Sequence, residues 1–236
     1  IDSFRTMFLI AAGLMLVSTA IVASLKDSGI AKRRSRLYFA KKFSKFYMLE
    51  IFYGARKQVF MTFAPYVLIL HYGANASTVS LLMAIAAVSG MIFAPMIGRI
   101  IDRLGYKFVM ITDTLILIVV CVMYGFAHRL FSPNIAFIVV CVNYILDSII
   151  SLASIATTVY VQDIADSREE VTATITTGIS VNHLISVAIA LLGGLIWKVL
   201  GIEMLFTMSA LLGLINSIYA ATIKVPDKSL KATKSG

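Results

Sequence analysis

Five ionisable side chains sit where so apolar a chain has least use for them. Glu50, Arg56, Lys57, Asp113 and Asp147 interrupt long apolar runs, apart from the loops that hold most other charges. On a helix, Glu50, Gly54, Lys57 and Met61 share one stripe, and Tyr53 and Arg56 share the next. Asn143, Asp147, Ser151, Ser154 and Thr158 recur at helical spacing and form one polar face with Asp147 near its centre. A third apolar stretch carries Gly178, Asn182, His183 and Ser186 about its midpoint. Arg56 and Lys57 can hold an anionic or zwitterionic solute, which Tyr53, Gln58, Asn143 and Asn182 can hydrogen-bond. Glu50, Asp147 and His183 are the groups that can load and release a proton. A charge at the centre of a bilayer costs roughly 2.5–3.5 kcal/mol on insertion scales, so both stripes should face a polar cavity or a charged partner. Asp147 is the obvious partner for Arg56 or Lys57, either in a structural ion pair or in a substrate or proton site. His183 is either a hydrogen-bonded interior residue or a proton carrier near neutral pH. Asp113, six residues past Lys107, reads as a cap or latch. Glu50 reads as a screen for the two cations or as part of a cytoplasmic gate.

The elements that must position these groups follow from composition. Of 236 residues, 59% are apolar and 14% charged, against roughly 25% charged in soluble domains. The mean hydropathy is +0.91. This excludes a soluble enzyme, a disordered tail and a nucleic-acid-binding module, despite a net charge of +9. The fold class is all-α, a polytopic transmembrane helix bundle. Stretches 4–25, 46–71, 76–97, 108–127, 134–159, 171–197 and 202–223 are each long enough to span, since a crossing helix needs about 20 apolar residues. Basic side chains are unequally shared between alternate loops: sixteen fall on the side of 26–45, 98–107, 160–170 and the tail, and two (Arg129 and Lys198) on the other. The richer side is cytoplasmic by the positive-inside rule, with the C-terminus inside. The chain starts at Ile1, directly ahead of an apolar run, and is expected to be a fragment lacking an N-terminal portion. Cys121 and Cys141 lie inside apolar runs, and the three histidines occupy separate segments. No metal site, cofactor or nucleophile motif is expected. The acidic turn Asp163, Asp166, Glu169 and Glu170 reads as a helix N-terminal region ahead of Val171.

One loop carries a more specific pattern. Gly98-Arg99-Ile100-Ile101-Asp102-Arg103-Leu104-Gly105-Tyr106-Lys107 joins two apolar spans on the cytoplasmic side. A glycine, an acid-base pair four residues on, a second glycine and a lysine make a tight charged turn. This G-x-x-x-D-R-x-G-x-K pattern resembles the signature loop of the major facilitator superfamily, in the copy between the eighth and ninth helices. The family usually has a basic residue directly after the second glycine; Tyr106 stands there and Lys107 comes next.

The resemblance covers nearly the whole chain and implies its organisation. Residues 1–25 would be the last helix of an N-terminal half, 26–45 a basic cytoplasmic linker, 46–223 a six-helix C-terminal half and 224–236 a cytoplasmic tail. It also implies a secondary transporter of a small anionic, zwitterionic or drug-like solute. Such a protein works by alternating access in the cell membrane, and coupling to protons is expected. Gly98, Asp102, Arg103, Gly105 and Lys107 take a gating role by the same analogy, and Gly90, Ala94, Pro95, Gly193 and Gly194 serve as packing or flexing positions. The implied partners are the solute, protons, the lipid bilayer and the N-terminal half of the same transporter, with no nucleic acid. The alternative is a scaffold or receptor that retains the fold without transport; a membrane enzyme is disfavoured by the missing motifs.

Overall fold

The computed structural model describes residues 2–24 and 37–225, and among them every regular element is helical. The first compact unit, Ile1–Arg34, contains α1 (Asp2–Ser24). The second, Ser35–Gly236, contains the candidate site. The basic residues of 25–36 and the tail beyond Val225 lie outside the described residues.

In the second unit a short 3-10 turn, Lys41–Phe43, leads into α2 (Ser44–Tyr66). Pro65 removes a backbone donor near the end of α2, and the chain continues as a wide π turn, Val67–His71. Asn75 then caps α3 (Ala76–Leu104), its side chain accepting from the Thr78 N–H at 2.8 Å. The chain reverses at Gly105, whose φ of 84° and ψ of 154° lie in a region open essentially to glycine alone. It re-enters as α4 (Tyr106–Leu130). Pro133, at the first helical position where its missing N–H is harmless, opens α5 (Pro133–Ile150). A 3-10 segment, Ser151–Ser154, joins α5 to α6 (Ile155–Ile164). Ser167 caps α7 (Arg168–Ala221), with the Glu170 N–H donating to its hydroxyl at 3.2 Å.

At 54 residues, α7 is far longer than one crossing requires. It breaks at Gly201, whose φ is 82° and ψ 176°, again a glycine conformation. The expected spans 171–197 and 202–223 are therefore two helices that meet at a kink at Gly201. Five helices among the described residues are long and apolar enough to cross a membrane: Thr6–Ser24, Ala76–Leu104, Tyr106–Leu130, Pro133–Ile164 and Arg168–Ala221. The expected span 46–71 is missing from this set. Glu50, Arg56 and Lys57 dilute its hydropathy, although α2 packs extensively along α7. Large apolar side chains such as Leu81, Met91, Leu184 and Leu191 are exposed on the unit. Monomeric soluble proteins do not tolerate so much contiguous apolar surface, and the chain is a multi-pass membrane protein.

Two buried apolar clusters fill opposite ends of the bundle. One gathers Phe43, Phe46, Tyr106, Val109, Tyr160 and Ile223; the other gathers Phe60, Leu117, Tyr124, Val140 and Phe206. The shared ends show that α2 and α4 run in the same direction. Between the clusters, on α2, α4 and the second arm of α7, the apolar side chains give way to Glu50, Arg56, Asp113 and Asn216. Close approach is confined to particular glycines. A Cβ at Gly54 would lie 2.8 Å from the Asn182 carbonyl oxygen, and one at Gly193 would lie 2.6 Å from the Phe63 ring. Nothing lies within 4 Å of such a carbon at Gly90, Gly98 or Gly194. The expected tight packing is thus present at Gly193 and missing, among the described residues, at the other three.

Candidate functional site

The site begins with an arginine that finds a partner other than the expected one. Arg56 is buried on α2 and donates from Nη1 to Asp113 Oδ2 of α4 at 2.6 Å, with side-chain exposures of 4% and 11%. Side chains on a helix lean toward its N-terminus, and α2 and α4 are parallel. The Arg56 guanidinium therefore reaches back toward the earlier turns of α4, where Asp113 lies. The reading of Asp113 as a cap or latch is corrected: it closes a buried ion pair. Asp147, the expected partner, is within electrostatic reach of Arg56 but makes no ion pair among the described residues. The Arg56 guanidinium also rests 5.6 Å from the Tyr53 ring centroid, within cation–π range. Its Nη2 is buried without a hydrogen-bond partner.

Beside this pair, α2, α3 and α5 line an open-sided cavity of roughly 220 Å³. Tyr53, Arg56, Lys57, Phe60 and Met61 line it from α2, Met83 and Ala86 from α3, and Tyr144, Asp147 and Ser148 from α5, with Ser151 just beyond. Four of the expected residues, Tyr53, Arg56, Lys57 and Asp147, therefore meet at one place. The Tyr53 hydroxyl donates to the Ser151 carbonyl at 3.2 Å, which fixes its ring as a wall. A second cavity of only about 20 Å³ lies behind Tyr53, with Leu49, Asp113, Ser154, Thr157 and Asn216 among its lining residues.

The remaining expected residues are placed elsewhere. Glu50 is buried and accepts from Thr157 Oγ1 and from Asn182 Nδ2, both at 3.2 Å, which ties α2 to α6 and α7. Asn182 is thereby committed to Glu50 and does not line the cavity. Asn143 turns back to the Val139 carbonyl of its own helix at 2.7 Å, and Gln58 donates to Thr62 Oγ1 at 2.6 Å. His183 is exposed on α7, outside both cavities. The polar face on α5 and α6 also departs from its expected course. A 3-10 helix turns about 20° further per residue than an α-helix, so Ser151–Ser154 rotates the succeeding turns of α6 by roughly 80°. Thr157, not Thr158, consequently faces Glu50. Sequence reasoning missed Thr157, Phe60, Met83, Tyr144 and Ser148, which carry no signal distinguishing them from other helical residues.

The motif loop forms a short reversal on this bundle. Asp102 and Arg103 are exposed at the end of α3, and the Gly105 N–H caps the Ile101 carbonyl at 2.8 Å. Tyr106, where a basic residue is usual, is buried and donates its hydroxyl to Asp163 Oδ2 at 3.1 Å. This joins the start of α4 to the end of α6.

A comparison with curated proteins finds no match. The model of the Major Facilitator Superfamily matches residues 46–236, which begins at α2 and takes in the cavity, the motif loop and both arms of α7. Its members are transporters and not enzymes, and they handle small-molecule substrates within a membrane. With four-fifths of its length matched, the chain belongs to the Major Facilitator Superfamily.

Proposed function

We propose that the chain supplies the C-terminal half of a secondary active transporter, which moves a small solute by alternating access coupled to protons. The N-terminal half of the same transporter closes the cavity, the protein works in the cell membrane, and the C-terminus is cytoplasmic. The observation that carries this reading is the cavity lined by Arg56, Lys57 and Asp147. Charge of both signs lines one cavity of an otherwise apolar bundle, with Arg56 buried, Asp147 half-buried and Lys57 at the exposed side. Lys57 and Arg56 bind the solute with Tyr53 as wall, and Asp147 takes and returns the coupled proton. Glu50, held by Thr157 and Asn182, is a second proton-carrying carboxylate, whereas the exposure of His183 lends it no support in that role. Asp102, Arg103 and Lys107, at and just after the Gly98–Gly105 turn, act in gating against the N-terminal half of the transporter.

The test is a proton-flux assay on the full-length protein in liposomes, with organic anions, zwitterions and cationic drugs offered in turn. Lys57→Ala, Arg56→Ala and Asp147→Asn are compared with wild type after each is shown to be folded. Solute-driven proton movement that is lost in the folded variants supports the reading. Folded variants that transport like wild type would make the cluster structural.

A further inference from the structure

We infer that the solute is a small zwitterion that carries a carboxylate and an ammonium group. This deepens the transporter reading and rests on it. The inference comes from which charges of the cavity are already spent. Arg56 and Asp113 neutralise one another at 2.6 Å, and Asp113 faces the smaller cavity, not the larger. Two full charges on the wall of the larger cavity are left uncommitted: Lys57 and Asp147. They do not pair with each other, and among the described residues neither makes an ion pair or a hydrogen bond.

The hydrogen-bonding groups around them divide the cavity into two ends. On the α2 side are donors, the Lys57 ammonium and the unpartnered Nη2 of the neighbouring Arg56. On the α5 side are acceptors. Ser148 Oγ already donates to the Ala86 carbonyl at 3.3 Å, and Ser151 Oγ donates to the Ser148 carbonyl at 2.7 Å. Their protons are used, and their lone pairs remain beside the Asp147 carboxylate. A donor end suits a carboxylate, and an acceptor end suits an ammonium. Tyr53, Phe60 and Tyr144 supply aromatic walls between the two.

Each singly charged alternative leaves a group unmatched. An anion without an ammonium satisfies Lys57 and strands Asp147, and an amine without a carboxylate does the reverse. A solute bearing both groups fills both ends at once, whereas an anion alone would bind only with the coupled proton held on Asp147, the case that 4-methylpentanoate reads.

The experiment uses the full-length protein in proteoliposomes and matched triplets of probes: leucine, 4-methylpentanoate and 3-methylbutylamine, with further amino acids and their singly charged analogues alongside. Competition for uptake and ligand-induced thermal stabilisation are both read. The expected result is that zwitterions compete at least about tenfold better than either analogue, the discrimination that one lost charged hydrogen bond gives. In ligand-induced thermal stabilisation, which needs no transport, Asp147→Asn should shift this preference toward the carboxylic acids, and Lys57→Ala toward the amines. If an anion or a cation alone is carried as well as its zwitterion, the inference is overturned while the transporter reading stands. Solute-driven flux absent with every probe, charged or zwitterionic, would overturn both.

Discussion

The collar at one end of the bundle and its central cavity use the same kinds of charged side chains in opposite ways. At the collar Lys42 lies 2.5 Å from Asp166 and 2.7 Å from Glu170, and the Tyr38 hydroxyl donates to Glu170 at 2.7 Å. Glu170 also accepts from the Asp166 N–H at 2.8 Å, and Lys45 donates to the Thr222 hydroxyl at 3.1 Å. The far end of the bundle has the same plan. Glu203 takes both Arg129, at 2.6 Å, and His128, at 3.1 Å, while the His71 ring stacks edge-on to His128 at 4.8 Å. Both ends are exposed or half-exposed, and their charges are paired more than once. At mid-bundle the buried Arg56–Asp113 pair is closed, while half-buried Asp147 and exposed Lys57 on the cavity wall make no ion pair among the described residues. Redundant pairing where it stabilises least marks a structural tie. Open charge of both signs on one cavity wall of an apolar bundle marks a site that waits for a ligand.

The sharpest way to break this contrast is to treat the two acids near Arg56 alike. Asp113→Asn should strand a buried guanidinium and destabilise the fold by about 3–5 kcal/mol, the usual effect of removing one partner of a buried pair. Asp147→Asn should leave thermal unfolding in detergent close to wild type and abolish solute-driven proton flux. If Asp113→Asn unfolds no earlier than Asp147→Asn, the division into structural and functional acids is wrong.

Next in size are the glycines that let α2 and α7 touch. Gly54→Ala places a methyl group 2.8 Å from the Asn182 carbonyl oxygen, a backbone atom that cannot rotate away, and should cost about 1–3 kcal/mol. The shift should also disturb the hydrogen bond from Asn182 to Glu50. Gly194→Ala, with nothing within 4 Å, is the matched control and should be neutral in the same unfolding measurement. Equal stability of the two variants would show that the α2–α7 contact is looser than its geometry.

A smaller effect is expected at the motif loop. Tyr106→Phe removes the hydroxyl that donates to Asp163 and keeps the ring that packs 5.6 Å from Tyr160. The loss should be about 0.5–1.5 kcal/mol, read as earlier unfolding. A variant as stable as wild type would show that the ring alone ties α4 to α6.

Much of the architecture is legible in the chain itself. The helical class, the membrane environment and the Gly98–Lys107 motif come from composition and local pattern, and Arg56, Lys57 and Asp147 stand out as charges within apolar runs. Which charge meets which is not legible. Asp113 lies 57 residues after Arg56, and its closeness in sequence to Lys107 suggests the membrane surface. The backward lean of the Arg56 side chain on a helix parallel to α4 decides the pairing, and no spacing rule encodes it. Thr157 escapes a sequence reading because the Ser151–Ser154 turn breaks the 3.6-residue period that defines the stripe from Asn143 to Thr158. Gly201 stands between the two expected spans, and its positive φ ends one helix and starts the next at a kink.

The smallest effect should come from the collar, and its sign is set by titration. Hydrogen bonds to Asp166 first and Glu170 second hold the Lys42 ammonium above the ordinary lysine value of 10.5. A basic group with a raised value in the folded state contributes its stability fully below the unfolded value, and that contribution is lost as pH rises through the raised one. Wild type should therefore lose stability above about pH 10.5 more steeply than Lys42→Gln, and the two should converge in the alkaline limb. Near neutral pH the difference should be slight and should shrink further in high salt, because exposed pairs are screened by water and ions. Unfolding midpoints of the two proteins across about pH 7–11, at low and high salt, give the comparison. A large gap at neutral pH that salt does not reduce would mean that the collar carries structural weight comparable to the buried Arg56–Asp113 pair.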